Sequence, residues 1–587
     1  MSINTANMNS VWASLLVEEL VRNGIDYFCI SPGSRSTPLV AAVASHPKAR
    51  TLVHFDERGS AFHALGYARA TGRPAVVICT SGTAVANFLP AVVEASMDNV
   101  PMVLLTADRP PELRDTGANQ TIDQVGIFSS YTRWMFNLPC PDPQIDPRLP
   151  LTTVDQAVSR TSGSPSGPVH LNCMFREPLA PTPTGELFDT YLEPLAIWSA
   201  GPEPFTTYRP AEQLISTDEI NSLRARLRRA RRGLLIIGAL KRETEREAVT
   251  QFSNAIGWPA IPDILSGLKT GSHLSCAVDE SDFLLASEKF RDVHQPDFVL
   301  HIGGRATSTR LFTHLEQCRP IEYIHISDCP SRLDPFHLVT GRYVGDIAKI
   351  CDALANGDAT ANNGEWAASF TKASCSASRL VDEMLCQSEH LSEAAVARAL
   401  SRRIEPDTAL FVASSMPVRD LDLFAAPDGP SVPVAGNRGA SGIDGTIASA
   451  AGYAMGLGKP VTLLIGDLAF LHDLNSLAIL RSLSQAVTVV VINNNGGGIF
   501  SHLPIEQHKA IFEEYFVTPH GMQFHDIAAQ FGLHYHCPHD LAHFEEIFMR
   551  MQRSRESSII ELLIDRDASL AIHRKIKQAI IDHCQSH

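Results

Sequence analysis

The chain has 587 residues, 44% of them hydrophobic and 19% charged, an ordinary globular composition in a length that suggests roughly three to five domains. Its formal net charge of −15 argues against nucleic acid or an anionic membrane surface as a partner, because both reward clustered Lys and Arg. Any anionic ligand must be held by locally placed arginines and by backbone N–H groups.

The N-terminal MSINTANMNSVWASLLVEEL has no basic stretch leading into an apolar core, so no signal peptide is expected. The apolar runs VTLLI and VTVVVI are strand-length, far short of a membrane span. Twelve cysteines are scattered without a C-x-x-C pair, as in a reducing compartment, and a cytoplasmic location is expected.

In chain order, 10–22 has helical spacing, Tyr27–Ile30 reads as a buried strand and 59–70 as a helix. Ala75–Cys79 and 102–106 read as further strands. A Pro-rich stretch at 200–210 looks like a linker, after which GLLIIGAL, FVLHIGG and IEYIHIS are candidate strands of a second unit. The polar segment 355–366 closes that unit, and ALFVAS, VTLLIGD and VTVVVIN belong to a third. The alternation predicts an α/β chain of three consecutive doubly wound parallel-sheet domains, at 1–195, 212–355 and 385–587. No short-period repeat is visible.

Gly466-Asp467 ends the run VTLLI, and Asn493-Asn494-Asn495-Gly496-Gly497-Gly498 follows after room for one helix and a returning strand. In a parallel sheet both motifs fall at the carboxyl edge, where ligands bind. An Asp carboxylate and an Asn carbonyl are hard oxygen ligands suited to Mg2+. The glycines let backbone N–H groups approach phosphates closely. Each half alone reads as a strand end or a turn; the pair at this spacing points to a metal–phosphate site.

This pairing resembles the signature of the thiamine-diphosphate enzyme family. The resemblance implies that Asp467, Asn494 and the Gly496 carbonyl hold Mg2+ (or Mn2+) and through it the diphosphate; the family's usual Gly after the Asp is Leu468 here. It also implies a carboxyl at the aminopyrimidine N1′, where protonation favours the imino form that deprotonates C2. Glu57, in TLVHFDERGS, is the candidate, with Asp56 and Arg58 solvated or structural. The plainer reading of Glu57 is a first-turn carboxylate stabilised by the helix dipole. A bulky apolar residue under the thiazolium is implied as well. Ile443, next to Gly442 in NRGASGIDG before the small-residue helix 446–456, is the candidate; a core residue anchoring a turn is the alternative. In the family the cofactor bridges two domain types across a subunit interface, which implies a homodimer or homotetramer.

Arginines recur at the predicted strand ends: Arg35 beside Ser34 in SPGSRSTPL, Arg109 in TADRPPEL, Arg419 after Ser415 in SSMPVR, and Arg438 in NRGASG. Guanidinium forks bind carboxylates bidentately, although each Arg taken singly reads more readily as a surface cation. The strings SPGSRSTPL, HFDERG, TSGTAVANFLPAVVEA, TADRPPELRDTGANQTIDQ, NRGASGIDG, GDLAFLHDLNSL and NNNGGGIF together resemble one branch of the family. That branch serves menaquinone biosynthesis, decarboxylating 2-oxoglutarate and adding the resulting carbanion equivalent to isochorismate. The resemblance implies that Ser415 and Arg419 contact 2-oxoglutarate-derived groups, with Arg438 nearby. It implies that Ser34, Arg35, Arg109 and Gln120 position isochorismate, Gln120 also serving catalysis. Arg310 is a further substrate candidate, although it follows Thr309 where some relatives carry Lys.

Two other readings stand beside this one. Another thiamine-dependent 2-oxo-acid decarboxylase or acetohydroxyacid-synthase-like carboligase would share Glu57, Asp467 and Asn494 but needs no arginine set for a cyclic diacid. A non-catalytic nucleotide-binding module would centre on the middle domain, whose GLLIIGAL and HIGGRATS lack a complete G-x-G-x-x-G. Some relatives carry FAD in that domain; here it is expected to be empty or regulatory.

Overall fold

The computed structural model describes residues 3–209, 215–271, 273–356, 364–387 and 391–586. It has three all-parallel sheets. The first contains β1 (Tyr27–Ile30), β2 (Arg50–Val53), β3 (Ala75–Cys79), β4 (Met102–Asp108), β5 (Trp134–Leu138) and β6 (Pro168–Met174), in the order β2-β1-β3-β4-β6-β5. The second contains β7 (Gly233–Ile237), β8 (Ala260–Pro262), β9 (Phe298–Ile302), β10 (Glu322–Ser327) and β11 (Gly341–Val344), in the order β11-β10-β9-β7-β8. The third contains β12 (Ala409–Val412), β13 (Val434–Ala435), β14 (Val461–Gly466), β15 (Val487–Asn493), β16 (His534–His536) and β17 (Ser558–Leu563), in the order β13-β12-β14-β15-β17-β16. Crossover helices cover both faces, so the central strands β3, β9 and β15 are buried along their whole length and read as continuous apolar runs. The expected strands Tyr27–Ile30, Ala75–Cys79 and Val487–Asn493 form with those bounds. Of the expected polar segments, 357–363 and the linker's last residue, Pro210, lie outside the described residues.

The residues divide into two compact units, Met1–Ala211 with Asn437–Gly458 and His472–Ser484, and Glu212–Gly436 with Lys459–Leu471 and Gln485–His587. In the second unit one face of the middle sheet packs on the helices Thr217–Leu227, Glu243–Ile256 and Ile347–Ala355 through Leu223, Phe252 and Ile350. The other face shares a core with the third sheet, to which the helix Gly364–Cys386 contributes Phe370, Ala377 and Val381. No helix among the described residues is long and apolar enough to cross a membrane.

In the first unit the helix Glu57–Thr71 packs against the helix Thr446–Leu457, which comes from far along the chain. Asp56 caps the former, its carboxylate accepting from the Arg58 and Gly59 N–H groups at 2.9 and 3.4 Å. Asp473 does the same for the latter, accepting from Ile447 and Ala448 N–H at 2.8 and 3.1 Å. The contact face is built of small residues because the backbones nearly touch. A Cβ on Gly66 would lie 2.0 Å from the Ser449 carbonyl oxygen, and one on Gly452 would lie 1.9 Å from that of His63. No rotamer change relieves a clash with backbone.

His63 lies within this packing, fully buried, with Nε2 2.9 Å from the Tyr27 hydroxyl. Burial drives its imidazole from the ordinary 6.5 down to about 3. The unfolded chain takes up this proton as pH falls through 6.5, whereas the folded chain does so only near 3. His63 therefore favours the folded state above pH 6.5, and that contribution is lost as pH falls toward 3. His63→Gln keeps a partner for Tyr27 but cannot titrate. Denaturant midpoints measured from pH 7 down to about 4 should fall less steeply in this variant than in the wild-type chain; parallel slopes would contradict the account.

Candidate functional site

The first sheet reverses its strand order between β1 and β3, the topological switch point where parallel sheets bind ligands beyond their carboxyl ends. The expected residues of this unit follow those ends: Ser34 and Arg35 after β1, Glu57 after β2, and Arg109 after β4. Glu57 opens the helix Glu57–Thr71, half-buried, and its Oε2 accepts from Asn87 Nδ2 at 3.2 Å. Asp56 is taken by its capping bonds and by Asn475 Nδ2 at 2.9 Å, which fits the structural role expected of it.

Ser34 is exposed, and Arg35 is 8% exposed with NH1 donating to the Phe175 carbonyl at 2.9 Å. Burial and the nearby Arg109 cation lower the Arg35 pKa, against a smaller opposing pull from Glu177. Arg109 donates from Nε and NH2 to the Asn119 carbonyl at 3.2 and 2.9 Å. The neighbouring Gln120, at φ 56°, is exposed and donates from Nε2 to the Ser81 carbonyl at 2.9 Å, just past the end of β3. The loop thus carries Arg109 and Gln120 against the turn that follows β3.

The loop 437–445 belongs to the same unit. Buried Glu94 holds it bidentately, Oε1 accepting from Gly439 N–H at 2.7 Å and Oε2 from Ala440 N–H at 2.6 Å, while Arg69 pairs with Oε1 at 3.4 Å. This anchors a segment carrying Arg438, Gly442 and Ile443, all half-buried. Burial raises the Glu94 pKa and Arg69 pulls it back.

In the second unit the third sheet reverses order between β12 and β14. Ser415, Asp467 and Asn494 follow the ends of the adjacent strands β12, β14 and β15. The register pairs Gly466 with Ile492, so Gly466-Asp467 and the Asn/Gly run from Asn493 leave the sheet side by side. Asp467, 2% exposed, accepts on Oδ2 from Gly496 N–H at 2.8 Å and on Oδ1 from Leu468 N–H at 2.7 Å. His520 Nε2 lies 3.1 Å from the same Oδ2. Burial raises the Asp467 pKa, and these bonds oppose the shift.

Asn494 Nδ2 donates to Glu393 Oε1 at 2.6 Å, while its Oδ1 is buried and finds no hydrogen-bond partner among the described residues. A buried carbonyl oxygen without a donor is costly unless something electropositive faces it. Gly496 sits at φ 135°, and a Cβ there would lie 2.2 Å from the Val517 carbonyl oxygen; only glycine fits. A carboxylate held by backbone, an amide oxygen without a donor and a glycine turn suit a hard divalent cation with phosphate.

Ser415 stands at φ 72° ahead of the helix Met416–Phe424, and its carbonyl accepts from Arg419 NH1 at 2.5 Å. Arg310 is ion-paired with Asp282 and donates to the Asp282 carbonyl at 2.7 Å. The sequence reading did not single out Glu393 or His520. A lone Glu at a helix start and a lone His in a loop carry no spacing signal.

Against known proteins, a family model described as "Thiamine pyrophosphate enzyme, N-terminal TPP binding domain" matches residues 11–127. "Middle domain of thiamine pyrophosphate" matches 189–412, and "Thiamine pyrophosphate enzyme, C-terminal TPP binding domain" matches 430–562. The three parallel-sheet domains are thus those of a thiamine pyrophosphate (diphosphate) enzyme. The chain is 51% identical over 572 residues to 2-succinyl-5-enolpyruvyl-6-hydroxy-3-cyclohexene-1-carboxylate synthase of Rubrobacter xylanophilus, covering 97% of this chain and 98% of that one. The synthases of the same name from Salinibacter ruber and Prosthecochloris aestuarii are 45% and 44% identical, with 98% and 99% of each chain covered. The chain belongs to the 2-succinyl-5-enolpyruvyl-6-hydroxy-3-cyclohexene-1-carboxylate synthase family.

Glu94→Ala would remove the acceptor of the Gly439 and Ala440 N–H groups and one of the two carboxylates paired with Arg69, Asp98 being the other. A loss of roughly 1–3 kcal/mol is expected for donors left without an acceptor, read from denaturant unfolding. Glu94→Gln, which can satisfy only one of the two N–H groups, should fall between; a Gln variant as stable as wild type would remove Glu94 from this role.

Proposed function

We propose that this chain is the decarboxylating synthase that joins 2-oxoglutarate to isochorismate, giving 2-succinyl-5-enolpyruvyl-6-hydroxy-3-cyclohexene-1-carboxylate and CO2. The observation that carries this reading is the buried pair of Asp467 and Asn494 at the ends of β14 and β15, with Oδ1 of Asn494 free of donors among the described residues. Near-full-length similarity to synthases of that name supports the substrate pair. When bound, thiamine diphosphate supplies the electron sink through which a 2-oxo acid loses CO2 and attacks an alkene.

Asp467, Asn494 and the Gly496 carbonyl would hold Mg2+ or Mn2+ and through it the diphosphate. Glu57 would hold a proton at the aminopyrimidine N1′, while Gly442 and Ile443 would support the thiazolium. Arg419, on the Ser415 carbonyl, would exchange that contact for a 2-oxoglutarate carboxylate together with Ser415, and Arg438 is a further candidate for the same substrate. Ser34, Arg35 and Arg109 would hold the isochorismate carboxylates, and Gln120 would position its reacting carbon. Arg310 remains the weakest of the set, because Asp282 already neutralises it. We place the chain in the cytoplasm, a reading supported by twelve free cysteines.

The test is loss of isochorismate absorbance in purified protein with thiamine diphosphate, Mg2+ and 2-oxoglutarate, each omitted in turn. Loss that needs all components, with CO2 release, is expected. CO2 release with isochorismate untouched would favour the generic carboligase instead. Glu57→Gln should lose turnover by a factor on the order of 100 or more while still binding metal and diphosphate; unchanged turnover would remove Glu57 from the mechanism.

We also infer a homodimer or homotetramer. Val53 and Phe55, 65% and 61% exposed just ahead of Glu57, are apolar side chains that a partner surface would cover. Light scattering coupled to gel filtration should give a multiple of the chain mass; a monomer at micromolar concentration would contradict this.

A further inference from the structure

Glu393 opens the helix Glu393–Arg403, and nothing in the sequence distinguishes it from an ordinary first-turn acid. Its position is tightly fixed. Ser392 caps the helix by accepting from Ala395 N–H at 3.2 Å, and the Glu393 N–H donates to Ser569 Oγ at 3.2 Å. The side chain is buried, with Asp420 and His573 behind it, and one ligand-type atom from each of the three lies within 4.8 Å of the others. No solvent is available to compete for its oxygens, and Oε1 accepts from Asn494 Nδ2 at 2.6 Å.

The chemistry of the amide makes this bond decisive. A side-chain amide presents an NH2 on one edge and a carbonyl oxygen on the other, whereas a carboxylate only accepts. A carboxylate fixed beside Asn494 therefore takes the NH2 edge and turns Oδ1 the opposite way. The reverse orientation would set two oxygens against each other. Oδ1 is the atom without a donor among the described residues, and it is the atom a hard cation would take.

We propose that Glu393 is a positioning residue for the metal centre: it selects the Asn494 amide orientation that offers Oδ1 to the divalent cation. The inference rests on the metal-site reading of Asp467 and Asn494 given above. Groups bonded behind a ligand govern metal affinity because they fix which atom is presented and at what angle.

The test measures metal binding without turnover. The full-length chain is stripped with a chelator, saturated with thiamine diphosphate and titrated with Mn2+, free Mn2+ being read by electron paramagnetic resonance. Glu393→Ala should weaken Mn2+ binding by about 10–100-fold. Glu393→Gln, which keeps an acceptor oxygen for the Asn494 amide, should recover most of that loss. Wild-type affinity in Glu393→Ala, or a Gln variant as weak as the Ala variant, overturns the proposal. Asp467→Ala separates the two claims. If it binds Mn2+ as wild type does, the metal-site reading itself falls; if it loses Mn2+ while Glu393→Ala does not, only the role of Glu393 falls.

Should Glu393→Ala fail to fold, an exchange of donor and acceptor decides. Asn494→Asp alone sets two carboxylates against each other, whereas Glu393→Gln with Asn494→Asp restores one donor and one acceptor. The double variant is expected to bind Mn2+ more tightly than the single one, and equal binding overturns the proposal.

Discussion

Asp467 Oδ2 accepts the Gly496 N–H at 2.8 Å, a bond that crosses between the ends of β14 and β15. It can form because the parallel register sets Gly466 beside Ile492 and because Gly496 adopts a conformation closed to other residues. The next residue is tied down as well, with Gly497 N–H donating to the Val517 carbonyl at 2.8 Å. On the strand side, Asn493 Nδ2 donates to Glu561 Oε1 at 2.6 Å and to the Met522 carbonyl at 2.9 Å. The turn is thus held by bonds from both of its flanks. Its cost is a buried carboxylate with an upward-shifted pKa, a cost that a divalent cation at the same oxygens would relieve.

The same device recurs. Glu94 grips the loop 437–445, and Asp473 grips the start of the helix Thr446–Leu457. Glu561 accepts from Asn493, Phe524 N–H and the Tyr535 hydroxyl, at 2.6, 2.9 and 2.6 Å. Each is a carboxylate removed from water and compensated by several donors, which is what makes burial tolerable. Part of the chain's negative charge is therefore structural, spent on fixing glycine-rich segments that have little side-chain packing of their own.

How much of this was legible depends on what each residue needs from its neighbours. Central strands buried on both faces announce themselves as apolar runs. β13, with two residues, and β16, with His534, Tyr535 and His536 partly exposed, do not. The segment 446–456 reads correctly as a helix, yet a surface this rich in Ala and Gly cannot say which helix it packs against. Its partner is Glu57–Thr71, set by complementary glycines hundreds of positions away. Asp467, Asn494 and Gly496 were singled out because metal chemistry restricts both residue type and spacing, and the fold sets Asp467 and Asn494 at the ends of adjacent strands. Glu393 was not, because any acceptor at that point in space would serve, and the sequence encodes position in space only through the finished fold.

The substrates proposed above are acids, and the chain itself is acidic. A net charge of −15 gives an approaching dianion no long-range attraction, so recognition falls to local cations at the carboxyl ends of strands. Arg35 is held 8% exposed, and its pKa is lowered first by burial and then by Arg109. Glu177, with Oε1 3.4 Å from Arg35 NH1, offsets part of that cost. On the proposed reading, a substrate carboxylate would add to this compensation, whereas a neutral analogue would not. On that reading, discrimination against neutral compounds would rest on these local cations rather than on a charge field around the molecule as a whole.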